Sequence, residues 1–173
     1  ASANLHNIVL ASSVPLTLGA PAGGGNEGGG SLYEWSEGRL SLISVLPDGA
    51  PVAPARNPGL GFQSRDSRAP ISADGSRVAW SEQGGHLYLR VNASAEQSQV
   101  QGSTVDGSQC VEVEKACTIQ LDALQGGSGA GTSEPVFQFA SADGTRLFFT
   151  DGQRLTAIHA NPLNKCDHCK QPA

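Results

Sequence analysis

Apolar positions along this chain come in short bursts bounded by Gly, Ser, Asp and Asn, which is the pattern of short strands. Arg77-Val78-Ala79-Trp80 and Arg146-Leu147-Phe148-Phe149 are nearly continuous apolar runs, as expected of strands covered on both faces. His86-Leu87-Tyr88-Leu89-Arg90-Val91 follows a Gln83-Gly84-Gly85 turn and alternates loosely, as a strand with one protected face does. Cys117 to Asp122 alternates polar and apolar side chains. Four strands are therefore predicted for the middle of the chain: one ending at Ser72, then 77–81, 86–91 and 117–122. Upstream, 7–12, 31–35 and 39–45 read as the later strands of an earlier unit. No helical periodicity longer than two turns is visible.

A nine-residue segment recurs. Residues 72–80 read Ser-Ala-Asp-Gly-Ser-Arg-Val-Ala-Trp, and residues 141–149 read Ser-Ala-Asp-Gly-Thr-Arg-Leu-Phe-Phe. Asp-Gly between apolar segments is a strong hairpin signal, because Gly supplies the positive φ of a tight turn. Asp74, Gly75, Asp143 and Gly144 are thus the repeat-turn residues, with the carboxylates forming the turn rather than performing acid–base chemistry. Pro47-Asp48-Gly49 offers a weaker third copy of the turn alone.

These residues resemble the TolB-type, WD40-like (PD40) β-propeller repeat. The matching positions are Ser72-Ala73-Asp74-Gly75-Ser76-Arg77 with Trp80 and Leu87-Tyr88, and Ser141-Ala142-Asp143-Gly144-Thr145-Arg146 with Phe148 and Phe149. Leu32-Tyr33 and Asp48-Gly49 mark the earlier unit. The resemblance spans roughly residues 31–156. It implies an all-β fold of antiparallel four-stranded blades, a partial β-propeller of about two to three blades. The organisation it suggests is a partial strand with a flexible Gly-rich segment at 1–30, propeller-type repeats at 31–158 with a complete unit at about 69–124, and an irregular Cys-containing tail at 159–173. Propellers close with typically 4–8 blades. This chain is then expected either to be an excerpt or to self-associate through open blade edges. The spacing of 69 residues between Asp74 and Asp143 exceeds the usual ~40–50 of such repeats, and the long polar loop after Val91 accounts for the excess.

Composition narrows the function classes. The 173 residues include 22 glycines and 10 prolines, above the average share of roughly 12% for the two together, which suits many turns and a thin core. Gly19–Gly30 and Gly126–Gly131 read as flexible linkers. Net charge is −5, and no basic stripe of the kind nucleic-acid binders carry is present. No run of 18 apolar residues exists, so no membrane span is expected. No basic region precedes an apolar stretch at the start, so no signal peptide is visible.

The cysteines form two local pairs, Cys110/Cys117 and Cys166/Cys169. Cys110 and Cys117 are a candidate disulfide that would pin the inserted loop to the fourth strand, and the even count favours an oxidising compartment. Cys166-Asp167-His168-Cys169, with His159 upstream, offers thiolate and imidazole ligands for zinc. A structural zinc site normally needs a second such knuckle, and a redox Cys-x-x-Cys is expected near a βαβ pattern that is absent here. No Gly-x-Ser-x-Gly elbow, phosphate loop or triad arrangement is present. Asn92-Ala93-Ser94 fits the glycosylation pattern, one that arises readily by chance.

The expectation is a non-enzymatic binding or scaffolding module of a larger secreted or envelope-associated, bacterial protein. Its partner, protein or carbohydrate, would meet the loop 92–116 or the turns at 74–76 and 143–145. Two rivals follow from the same residues. One is an accessory propeller of a prolyl-oligopeptidase-like hydrolase. The other is a small zinc-binding protein using Cys166, His168 and Cys169.

Overall fold

The computed structural model describes residues 1–2, 5–23, 30–53, 55–56, 69–82, 85–99, 110 and 112–157. Its regular elements are all strands: β1 (Asn7–Ser12), β2 (Ser31–Ser36), β3 (Arg39–Leu42), β4 (Ala55–Arg56), β5 (Arg77–Glu82), β6 (Leu87–Val91), β7 (Cys117–Gln120), β8 (Val136–Ala140) and β9 (Leu147–Thr150). They form three antiparallel sheets in chain order, β1-β2-β3, β4-β5-β6-β7 and β8-β9.

Period-2 alternation explains how these sheets meet. In β5 and β6 the register pairs Trp80 with Tyr88 and Ala79 with Leu89, so successive side chains point to opposite faces. Val78, Trp80 and Tyr88 face the first sheet, where they join Val9, Leu32 and Ile43 in one buried cluster. Ala79 and Leu87 face the third sheet and bury against Phe137, with Leu147 and Phe149 packed alongside. The middle sheet is thus covered on both faces, and the three sheets stack in series. Trp80 is completely buried and its ring stacks on Tyr88 at 4.6 Å between centroids. Large aromatic burial of this kind dominates core energetics.

The first strand of the middle sheet departs from the sequence reading. It is the two-residue β4 at the far end of β5, with Ala55 opposite Glu82. The residues just before Ser72 add an isolated bridge, Ile71 to Val78, and a hydrogen bond from Ala79 N to Pro70 O of 2.7 Å. The sheet therefore draws on chain well before residue 69. In the third sheet the corresponding strand, β8, is continuous apart from a register shift between Phe137 and Phe139. β7 ends at Gln120 and β3 at Leu42, each shorter than the alternation suggests.

The Gly126–Gly131 run is bonded rather than slack. Gln125 N and Gly127 N donate to Leu155 O, and Arg154 N donates to Ala130 O at 3.0 Å. A Cβ on Gly127 would lie 2.1 Å from Arg154 O, and one on Gly131 would lie 2.0 Å from Gly152 O. The glycines are there because two backbones approach closely.

Candidate recognition surface

The two repeat turns fold through the same hydrogen bonds. Asp74 Oδ1 accepts from Ser72 Oγ at 2.6 Å, Ser76 N at 3.0 Å and Ser76 Oγ at 2.9 Å. Asp143 Oδ1 accepts from Ser141 Oγ at 2.5 Å, Thr145 N at 3.1 Å and Thr145 Oγ1 at 2.9 Å. Bonds to the ionised carboxylate favour it. The Ser72 hydroxyl, then the Ser76 backbone, lower the Asp74 carboxyl below its usual range, and the equivalent groups of Ser141 and Thr145 hold Asp143 at about 2. Each serine also closes the turn, Ser72 Oγ accepting from Arg77 N and Ser141 Oγ from Arg146 N.

A third copy of this closure opens the chain. Ser2 N donates to Asn7 O at 2.8 Å and Leu5 N to Ser2 O at 3.0 Å, while Ser2 Oγ accepts from Asn7 N at 3.0 Å. The same three bonds link Ser72, Gly75 and Arg77, and again Ser141, Gly144 and Arg146. Leu5 has φ +60°, matching +77° at Gly75 and +64° at Gly144. Pro47-Asp48-Gly49 belongs elsewhere. It closes a hairpin between Val45 and Pro51, after the last strand of the first sheet.

Successive turns touch. Ala73 N donates to Ala142 O at 2.7 Å, and Arg77 Nη1 donates to Asp143 O at 3.3 Å. The position of Gly144 leaves 2.9 Å from a notional Cβ to Arg77 Cβ, and that of Gly75 leaves 2.2 Å to Asn7 Cγ. Each turn thus rests on the first strand residue of the preceding turn's own hairpin, Asn7 or Arg77.

The inserted loop joins the same edge. Asn92 N donates to Ser76 O at 2.7 Å, and Asn92 Nδ2 donates to Val113 O at 2.8 Å. The Asn92 amide of the glycosylation-like segment therefore ties the two limbs of the loop together. A parallel bridge between Gln97 and Ala116 and a Lys115–Glu96 ion pair continue the seam. Cys110 and Cys117 are joined by a disulfide, with Cα atoms 5.5 Å apart. Turns 72–76 and 141–145 and loop limbs 92–99 and 112–116 thus share one edge of the stack. Asp74 and Asp143 contribute negative charge to it.

Three buried polar groups lie behind this edge. Glu34 is 2% exposed, and its Oε1 meets no hydrogen-bond partner among the described residues. Burial, and then the Asp74 charge, raises its carboxyl to about 7. Arg90 is also buried. Its Nη1 donates to Thr118 Oγ1 and its Nη2 to Gln97 Oε1 at 2.7 Å. Desolvation pushes its guanidinium down to about 10. Thr118 Oγ1 passes the bond on to Val45 O at 2.6 Å, linking the middle sheet to the exit of the first.

The opposite edge holds a polar network that the sequence reading did not connect. His86 Nδ1 lies 2.7 Å from Oδ2 of the buried Asp122, whose Oδ1 accepts from Leu87 N. The Tyr88 hydroxyl donates to Glu82 Oε1 at 2.5 Å, and burial raises that phenol above its ordinary range. The bonds tie the β5–β6 turn to the end of β7. His86 and Asp122 are 36 residues apart, so no local motif announces them.

Among the described residues, no group of three or more His, Cys, Asp and Glu side chains is placed to hold a metal. The zinc candidates Cys166, His168 and Cys169 lie outside the described residues. No helix among the described residues is long and apolar enough to cross a membrane. No protein-family model, curated protein or solved structure matches the chain.

Proposed function

We propose that the chain is a β-propeller-type module of a larger secreted or envelope-associated protein, working without catalysis as a binding or scaffolding surface. The observation that carries this reading is the bonded row of turns, Ala73 N to Ala142 O and Arg77 Nη1 to Asp143 O. Sheets stacked in series, with their first turns aligned along one edge, present a continuous and rigid rim. Propeller-like folds use such rims for recognition, so the assignment of function rests on analogy of architecture. The Cys110–Cys117 disulfide supports an extracytoplasmic setting, where such bonds persist. The rim carries Asp74, Asp143 and the Lys115–Glu96 pair, which suits a polar protein or carbohydrate partner over an apolar one.

The test compares two sets of substitutions on immobilised protein, read against a glycan array and a peptide array. One set alters the rim, Glu96→Ala with Lys115→Ala and Asn92→Ala. The other alters the opposite edge, His86→Ala. Binding lost only with the rim set is the expected result. Equal binding by both sets, or turnover of any arrayed compound, would contradict the proposal.

A further inference from the structure

The stack has two end faces, and among the described residues each exposes large apolar side chains, although Tyr33 on the first is fully buried beneath Leu16, whose N–H donates to its hydroxyl. In the first sheet, Val9 and Leu32 point to the middle sheet, so alternation turns Ile8 and Trp35 outward as a cross-strand pair. They are 40% and 41% exposed, and Leu16 beside them is 46% exposed, its N–H bonded to Tyr33 Oη. In the third sheet, Phe137, Leu147 and Phe149 point to the middle sheet, which turns Val136, Phe139 and Phe148 outward. These are 50%, 46% and 49% exposed, and the two phenyl rings stack at 4.3 Å. Exposed large apolar side chains thus gather at opposite ends of one stack, as at interaction sites.

The two end faces are the two halves of an interface the molecule already makes. By chain position, Phe148 corresponds to Ala79, which packs on the following sheet. Ile8 and Leu10 correspond to Val78 and Trp80, which pack on the preceding sheet. An outward third sheet therefore repeats the face that the middle sheet offers forward. An outward first sheet repeats the face that the middle sheet offers back. We infer that a second copy of this chain docks head to tail, the Val136/Phe139/Phe148 face of one copy against the Ile8/Trp35 face of the next. Such an interface joins two different patches, so it propagates into a ring or a filament and does not stop at a symmetric pair.

Light scattering after size exclusion, from about 1 to about 100 µM, tests this on the full chain. The native protein is expected to rise to at least twice the monomer mass. Trp35→Glu and Phe148→Glu change only exposed side chains. Each is expected to be monomeric alone, with an unchanged circular-dichroism spectrum. Mixed in equal amounts they are expected to form a dimer, because each retains the half the other lacks. A native monomer across the range overturns the inference, as happens when residues of the same chain cover either face. So do a mixture that stays monomeric and an assembly or aggregate that survives both substitutions. If either variant loses the native spectrum, Trp35→Gln and Phe148→Gln replace them, with the same outcomes read.

Discussion

The N–H of Ala73 donates to the carbonyl of Ala142 across 2.7 Å, so two turns 69 residues apart in sequence are bonded directly to each other. The bond requires a close backbone approach, and Gly144 permits it. A Cβ there would lie 2.9 Å from Arg77 Cβ and 3.2 Å from Ser72 Cβ, at φ +64°.

Gly144→Ala is therefore expected to cost about 2–3 kcal/mol, from backbone strain and displacement of the neighbouring turn. Gly38→Ala has a similar φ of +79° with nothing within 4 Å, and should cost only about 1 kcal/mol. Urea unfolding of both variants checks this. Equal losses would mean that the turns do not press on each other.

Glu34 makes stability depend on pH near neutrality. Its folded carboxyl is raised to about 7 from an ordinary 4.5, so the native state holds the proton more tightly than the unfolded chain. Stability is then greatest below about pH 4.5 as far as this group is concerned, falls as pH rises towards 7, and stays low above it. Glu34→Gln removes that dependence. It is expected to gain about 2 kcal/mol over the native chain at pH 8, after allowing for residual solvation, and almost nothing at pH 4. Thermal unfolding at the two pH values reads the difference, and a constant offset would contradict the assignment.

Asp143 behaves in the opposite sense. Its bonds from Ser141 and Thr145 hold the carboxyl at about 2. Carbon-detected NMR titration should place its midpoint there, and Ser141→Ala should move it up. An unchanged midpoint would mean the Ser141 hydroxyl does not hold the carboxylate.

The Cys110–Cys117 disulfide closes a short loop, with a sequence separation of 7. The chain-entropy relation assigns a loop of that size about 2–3 kcal/mol. Cys110→Ala with Cys117→Ala should lose that amount, and a reducing agent should lower the native chain to the same level without affecting the variant. A variant as stable as the oxidised protein would show that the seam through Gln97 and Ala116 suffices alone.

Trp80 spans the boundary between the first two sheets. Trp80→Ala should cost about 3–5 kcal/mol through the cavity it leaves, measured by the same urea unfolding. A loss below 1 kcal/mol would mean the first two sheets do not share a core.

Legibility in the sequence followed locality. The turns at Asp74 and Asp143 were readable because the hydrogen bonds that shape each turn close within five residues, whereas the bonds between the turns carry no local signal. The run at Val78-Ala79-Trp80 was readable because it lies between two packed sheets, whereas Leu147-Phe148-Phe149, expected to be covered on both faces, is covered on one only, with Phe148 49% exposed at the end of the stack. The copy at Ser2–Asn7 was missed although Ser2 stands 70 residues before Ser72 and is likewise followed by Ala. Leu5 occupies the position of the turn glycine there, and a left-handed backbone at Leu contradicts the residue preference that sequence reading relies on. β4 escaped because two residues carry no periodicity. Glu34 escaped because a polar residue in an alternating strand reads as solvent-facing, whereas here its face is the one covered by the next sheet. His86 and Asp122 were joined only by the folding of β5, β6 and β7.

Direct detection of the Ala73–Ala142 bond tests the account at its centre. A through-hydrogen-bond scalar coupling between the Ala73 amide nitrogen and the Ala142 carbonyl carbon reads it in solution. The expected result is a resolved cross-peak, with the Ala73 amide among the slowly exchanging ones of the chain. No coupling, together with Ala73 exchange as fast as an unprotected amide, would contradict the row of turns on which the stack and its proposed rim both rest.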